Sequence, residues 1–284
     1  MPIITPYEIG EIVPQLAGPA AQRLVRRAMS WLSIDELNDR YDDLSWLQGP
    51  DFAKSFLDDV GIDYSIGNSE RLLNLPSGPF ITISNHPYGH IDGMMLIDLF
   101  GHLRQDYKVM VNSLLARIRM LEPNFITVVP TGRERTAPRA ESISGVREAM
   151  TLLRDGGVLG LFPSGAVSDL SLRERCVRDR QWQDAAVRLI RKAGVPVVPV
   201  RFFDRSSDFY YSLGLISSGV RLLRLPSEIL NKDGKTIRLG IGETILPNRL
   251  LECTSTEELR QMLRHSVYGM PMPESFIRRS RLSL

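Results

Sequence analysis

The 284-residue chain has only two cysteines, Cys176 and Cys253. A pair so far apart gives neither a disulfide framework nor a metal-ligand spacing, which points to a reducing compartment. No apolar run approaches the length needed to span a bilayer, so any membrane contact is expected from one side. The N-terminus lacks a basic, then apolar, then small-residue pattern, and no signal peptide is expected. Neither sign of charge dominates: 35 basic and 33 acidic residues leave a formal net charge of +2. The basic residues are also widely spread, which argues against nucleic acid as a partner. There is no internal repeat and no low-complexity tract. What remains is 43% hydrophobic and 24% charged, the balance of a globular protein with a sizeable core.

Strand-like and helix-like segments alternate along this chain. An irregular arm with Pro2, Pro6 and Pro14 precedes helical patterning from Ala20 to about Leu47, with Arg23, Arg26 and Arg27 off its apolar face. A short helix around Phe52, Phe56 and Leu57 ends at Gly61, and residues 63–66 read as an edge strand. Short β-branched runs beginning at Phe80, Tyr107, Phe125, Val158 and Val195 read as buried strands, with another from Thr236 to Ile241. Leu114, Leu115, Ile118 and Leu121 mark a short helix. Ile143, Val146, Met150 and Leu153 recur at three and four residues and mark a longer one, stopped by Gly156 and Gly157. Residues 173–180 carry many charges of both signs and read as a solvated loop or helix face. Helices are expected again over 182–193 and 257–267, with a basic tail at Arg278, Arg279 and Arg281. The expected fold class is α/β: a single domain with a mainly parallel sheet flanked by helices, preceded by an N-terminal helical segment. Residues 1–60 form the arm and helices, and residues 61–284 form the α/β domain.

In such a sheet, the loops after parallel strands share one edge, where open α/β folds place their ligands. Three of those loops carry polar, turn-forming clusters: His86 to Asp92, Thr131 to Arg135, and Pro163 to Gly165. The first joins an imidazole to a carboxylate across a turn shaped by Pro87 and Gly89. That pair suits proton removal from a hydroxyl, with the carboxylate fixing the tautomer. Taken alone, the same stretch reads equally well as a capped turn with Asp92 as a helix N-cap. Arg133 and Arg135 add guanidinium groups suited to an anion. Ser164 as a hydrolase nucleophile fails the Gly-x-Ser-x-Gly pattern, because Phe162 stands where the first glycine belongs. A zinc site from His86, His90 and Asp92 lacks a convincing further ligand.

Asn85-His86 with Asp92, Phe162-Pro163-Ser164-Gly165 and Val195-Pro196-Val197-Val198-Pro199-Val200 together resemble three of the four sequence blocks of the glycerolipid, or lysophosphatidate-type, acyltransferases. The turn around Arg133 and Arg135 would be the remaining block. The form Asn-His-Pro-x-Gly-x-x-Asp-Gly is most similar to the hemolysin-like, ornithine-lipid O-acyltransferase branch. Two features depart from the superfamily pattern. Five residues separate His86 from Asp92 where four are usual, and Gly89 could absorb the extra one as a bulge. Ser164 stands where enzymes acting on glycerol phosphate usually carry an acidic residue.

The resemblance implies transfer of a fatty acyl group from a thioester of acyl carrier protein or coenzyme A to a lysolipid hydroxyl. His86 would be the general base, preferred over His90, and Asp92 would orient it. Asn85, Gly89, Gly93, Arg133, Arg135, Phe162, Pro163, Ser164 and Gly165 would bind substrate, with amides near Gly93 or Gly165 holding the oxyanion. No bound cofactor and no metal is implied. The acceptor would be lyso-ornithine or another lyso-aminolipid, with lysophosphatidate as the alternative acceptor. The implied place is cytoplasmic, peripheral on the inner face of the cytoplasmic membrane. A non-catalytic lipid-binding protein on the same scaffold is the reading of a different class.

Overall fold

The computed structural model describes residues 5, 9, 18, 25, 27, 29, 31–112, 115–128, 140–172, 174–216, 218–231, 234 and 236–282. Helices α1 (Ile34–Asp43) and α2 (Gly49–Asp59) precede strand β1 (Asp63–Gly67). Strand β2 (Phe80–Ser84) feeds helix α3 (His90–Leu103), then β3 (Tyr107–Asn112) and β4 (Phe125–Val128) follow. Helix α4 (Ala140–Arg154) leads into β5 (Val158–Leu161), and the ribbon of β6 (Asp169–Ser171) and β7 (Cys176–Arg178) leads to helix α5 (Asp184–Ala193). After β8 (Val197–Phe202) come α6 (Asp208–Ile216), α7 (Ser218–Leu230) and β9 (Thr236–Ile241). Helices α8 (Pro247–Glu252) and α9 (Thr256–Tyr268) and strand β10 (Phe276–Arg278) follow.

Eight strands form one sheet in the order β10-β1-β9-β8-β2-β5-β3-β4. Only the β10–β1 and β8–β9 pairs are antiparallel. The β1–β9, β8–β2, β2–β5, β5–β3 and β3–β4 pairs are parallel. Side chains alternate between the two faces of a strand, and β2 shows the result. Phe80 packs with α1, α2 and α3 on one side, and Ile81 and Ile83 pack with α4, α5 and α9 on the other. The sheet is therefore the middle of three layers. Helix α3 is buried around much of its circumference, from Ile91 to Gly101, as its nearly uninterrupted apolar sequence requires.

Strand β2 lies between β8 and β5, so the loop leaving it opens at the middle of the sheet's carboxyl edge. The loops after β5 and β4 leave from the same edge, because all these strands run parallel. Residues 63–66, expected at an edge, are internal: β10 returns along β1 and pairs with it. The helix expected over 114–121 is a pair of 3-10 turns, Leu115–Arg117 and Arg119–Asn124, with Pro123 inside the second. Proline lacks the N–H that a longer α-helix would need. Residues 174–180, expected to be solvated, are mostly exposed, yet they contribute β7 and include the buried Asp179.

The basic tail is not uniformly free either. Arg279 turns inward and makes a two-pronged ion pair with Asp98 of α3, at 2.9 and 2.7 Å. Tyr64 of β1 donates its hydroxyl to the same carboxylate at 2.7 Å. Arg278 and Arg281 remain exposed, as does Arg27, while Arg23 and Arg26 lie outside the described residues. The Arg279 pair fastens the end of the described chain to the helix that carries Asp92. Removing one partner of a buried ion pair strands the other charge in the interior. Arg279→Ala should therefore lower unfolding free energy by about 3 kcal/mol or more. Urea denaturation of the two proteins measures this, and a loss below about 1 kcal/mol would mean the pair is dispensable.

Candidate active site

Strand β2 ends at Ser84, and the next residues turn sharply toward α3. Asn85, expected at the substrate, faces the sheet instead. Its side chain donates to the carbonyl of Phe202 at 2.9 Å and accepts from the Phe202 N–H at 2.8 Å. Both ends of the amide are bonded to β8, so Asn85 pins the loop to the sheet. Gly89 occupies the N-cap position of α3 with φ of 76° and ψ of −133°, a conformation that side chains resist. That turn accommodates the extra residue between His86 and Asp92. Asp92 is not the N-cap: it is the third residue of α3, and its carboxylate points back across the turn.

There Asp92 Oδ2 lies 2.9 Å from Nδ1 of His86 and accepts the N–H of Tyr88 at 2.8 Å. With the Nδ1 proton given to Asp92, the lone pair of His86 resides on Nε2. Asp92 is fully buried, and burial pushes its carboxyl up to about 6 even though the bond from His86 pulls it down. A carboxyl raised in this way favours the fold while protonated, and that contribution is lost as pH rises through about 6. The imidazole is further fixed by the ring of Phe162, stacked on it at 4.0 Å between centroids. His90 lines the same cavity but is not hydrogen-bonded to this pair. Its Nε2 is 3.3 Å from the Tyr41 hydroxyl of α1, and burial, aided by the charge of His86, lowers it to about 4.

The cluster after β5 meets the first one, as the shared sheet edge requires. His86, Gly89, Gly93, Phe162, Pro163 and Gly165 all line one cavity of about 330 Å³. Its walls are otherwise mainly apolar: Met94 of α3, Met110 and Val111 of β3, Leu115, Ile118 and Leu121 of the 3-10 turns, and Leu189 of α5. Ile143 and Val146, which the helical spacing of α4 places on one face, reach the same cavity. Among the described residues, the side chains on this cavity include one imidazole paired with a carboxylate beside a long apolar recess.

Two other expected contacts turn out differently. The Ser164 hydroxyl, expected at the substrate, donates to the carbonyl of Ala166 at 2.7 Å and closes its own turn. The hydroxyl's one proton is thus engaged within its own turn and not with His86. The Gly165 N–H, one of the two suggested oxyanion donors, is taken by the carbonyl of Phe162 at 2.9 Å. Of the first amides of α3, that of Asp92 is taken by the carbonyl of Gly89 at 3.0 Å, while the first turn of any helix leaves some of its N–H groups without a partner within the helix. Gly165 itself is held at φ of 64°, and a Cβ there would collide with Gln183. Arg133 and Arg135 lie outside the described residues. Among the described residues no group of three or more His, Cys, Asp or Glu side chains is placed to hold a metal ion.

Asp179 escaped the sequence reading, hidden in a stretch whose charge density suggests solvent. Its Oδ1 accepts the main-chain N–H of His86 at 3.1 Å and the hydroxyl of Ser168 at 2.6 Å. Its Oδ2 accepts the indole N–H of Trp182 at 3.1 Å. The spacing of Asp179 and a large aromatic three residues later was the available signal, but without the fold it points nowhere in particular.

A curated lyso-glycine lipid O-acyltransferase of Phocaeicola vulgatus is 28% identical over 277 residues, covering 93% of this chain and 94% of that protein. A second, from Bacteroides thetaiotaomicron, is 28% identical over 219 residues, covering 74% and 76%. The crystal structure of the 1-acyl-sn-glycerophosphate acyltransferase PlsC from Thermotoga maritima shares the fold, with a TM-score of 0.50 at 18% identity over 81% of this chain and 77% of that one. The family model described as acyltransferase matches residues 10–272. The chain therefore belongs to the acyltransferase family.

Proposed function

We propose that this acyltransferase moves a fatty acyl group from a thioester of acyl carrier protein or coenzyme A to the hydroxyl of a lyso-aminolipid. Lyso-ornithine and lyso-glycine lipids are the acceptors of first choice. The observation that carries the reading is the His86–Asp92 pair at the wall of an apolar cavity. In this mechanism Nε2 of His86 takes the proton of the acceptor hydroxyl while Asp92 steadies the imidazolium. The alkoxide oxygen attacks the thioester carbonyl, and the amides at the start of α3 stabilise the oxyanion, helped by the positive end of a 14-residue helix. Collapse breaks the C–S bond, and the leaving thiolate takes the proton back from His86. Ester and thiol are the products, with no acyl-enzyme required.

The acyl chain of the donor fills the cavity walled by Met110, Leu115, Ile118 and Leu189, which matches its apolar surface. Arg133 and Arg135 grip the anionic part of the acceptor or the phosphopantetheine of the donor. Both substrates favour peripheral, one-sided work at the inner face of the cytoplasmic membrane. No helix among the described residues is long and apolar enough to cross a membrane. Lysophosphatidate is the second acceptor to test, because PlsC, named for that activity, shares the fold. The Ser164 position argues against it.

Purified protein offered acyl-carrier-protein and coenzyme A thioesters with a panel of lyso-ornithine, lyso-glycine and lysophosphatidate lipids should form ester with the amino lipids. Ester formation with none of the panel would favour a non-catalytic lipid-binding role. His86→Ala should reduce turnover by about a hundredfold or more, with acceptor binding little changed. His90→Ala should be milder, since His90 is turned toward Tyr41. An inactive His90→Ala beside a nearly normal His86→Ala, both folded, would reverse the assignment.

The cavity makes a separate prediction. Leu115→Trp fills part of the apolar recess from a partly exposed 3-10 turn, where a larger ring can be accommodated. Long-chain donors should lose about tenfold in kcat/KM relative to short ones, the scale of a few methylene contacts. An equal loss for all chain lengths would place the acyl group elsewhere.

A further inference from the structure

Resting on the reading of His86 as the base, we propose that Asp179 is a positioning residue for acyl transfer: it grips the main chain of His86 and sets a second negative charge beside the imidazolium that forms.

The residues around it form a bracket. Oδ1 of Asp179 accepts the His86 N–H, and the Ser168 N–H donates to the His86 carbonyl at 2.8 Å. Ser168 also donates its hydroxyl to that same Oδ1, which ties the two arms of the bracket together. The β6–β7 ribbon lies between those arms, so its pairing fixes their spacing. Further contacts hold the bracket from behind. The Asp179 N–H donates to the Tyr268 hydroxyl of α9 at 2.8 Å, and Arg264 of α9 donates to the Asp179 carbonyl at 3.2 Å. Trp182, fully buried, secures Oδ2. Both main-chain polar groups of His86 are thereby fixed from outside its own loop.

Asp179 is almost wholly buried, and burial raises its carboxyl above the usual range. Its partners nevertheless demand the carboxylate. The amide of His86 and the indole of Trp182 can only donate, and a protonated carboxyl would offer them a poorer acceptor. Other charged or titratable groups around this pair are Asp92 and His90 from α3, Tyr268 and Arg264 from α9, Arg178 of β7, and the buried Arg221 of α7, which donates to the Ser168 carbonyl at 3.0 Å. The Arg178 and Arg264 guanidinium groups lie over the Tyr268 ring at 5.7 and 4.9 Å, and Arg264 reaches only the main-chain oxygen of Asp179. An imidazolium at His86 would thus have two buried carboxylates close by, one on its ring and one on its main chain. A buried anion near a developing cation acts through a less screened field than one at the surface.

The test replaces charge while keeping shape. Asp179→Asn should lower turnover about tenfold or more, leave KM for the lysolipid within about twofold, and shift the acidic limb of the pH–rate profile to lower pH. The shift should be about half a unit or more, because losing an anion makes the imidazole harder to protonate. The ring titration of His86, followed by NMR without any substrate, should move by the same amount. Asp179→Glu keeps the charge but moves it by a methylene, so it should keep the titration near that of the unmodified protein while turnover falls. If Asp179→Asn does not fold, the Asp179→Glu titration decides: a midpoint displaced to lower pH overturns the proposal. Lost turnover in Asp179→Asn with neither midpoint shifted would make the residue purely structural and also overturn it. Because the titration needs no acyl transfer, it reports on Asp179 even if the lysolipid assay fails.

Discussion

The bond from His86 to Asp92 is the constraint around which the rest is arranged. A carboxylate without exposure is unfavourable unless its charge is shared, and Asp92 shares it with the imidazole and with the Tyr88 amide. Reaching both from the first turn of α3 requires the chain to double back over six residues, which Gly89 permits with its positive φ. Leu225 of α7 and Val167 lie within van der Waals reach of a Cβ at Gly89. The helical pair after β8 thus closes over the reactive loop, and the Tyr211 hydroxyl of α6 donates to the carbonyl of Pro87 at 2.6 Å.

The layers explain why this loop is rigid. Strand β2 is paired on both sides and packed on both faces, so its end is fixed in the sheet. Helix α3 is nearly as buried, and the Asp98 network holds its second half against β1 and the returning chain. The imidazole is left between a fixed strand end and a fixed helix start. Catalytic geometry needs this kind of tolerance, since a displacement of one ångström in a positioned base can cost orders of magnitude in rate.

The cavity and the polar bracket both adjoin His86 and serve different ends. The apolar walls come from β3, the 3-10 turns, α4 and α5, all parts of the sheet's second half. The bracket comes from the β6–β7 ribbon and α9. The polar atoms of the bracket are consumed by one another, while the apolar recess remains open. An apolar chain can enter such a recess without leaving a polar group unpaired.

The sequence by itself determined the layered parallel sheet and the order of its strands along the chain. Buried strands such as Phe80–Ser84 and Val158–Leu161 are rich in apolar and β-branched residues with no charge, so they stand out without any knowledge of neighbours. The closeness of His86 and Asp92 was legible too, because a single turn links them. Residues whose role depends on distant partners were not. Asn85 and Ser164 both read as substrate contacts in the sequence, and the bonds of Asn85 to Phe202 and of Ser164 to Ala166 appear only in the fold. Arg279 reads as a basic tail until Asp98 meets it 181 positions away. Asp179 reads as one charge among many until it meets the His86 amide across 93 positions of chain. Periodicity and local turns are properties of a few consecutive residues, and a sequence records them directly. Which buried polar group satisfies which other is settled only when the sheet and its two helical layers bring remote segments together.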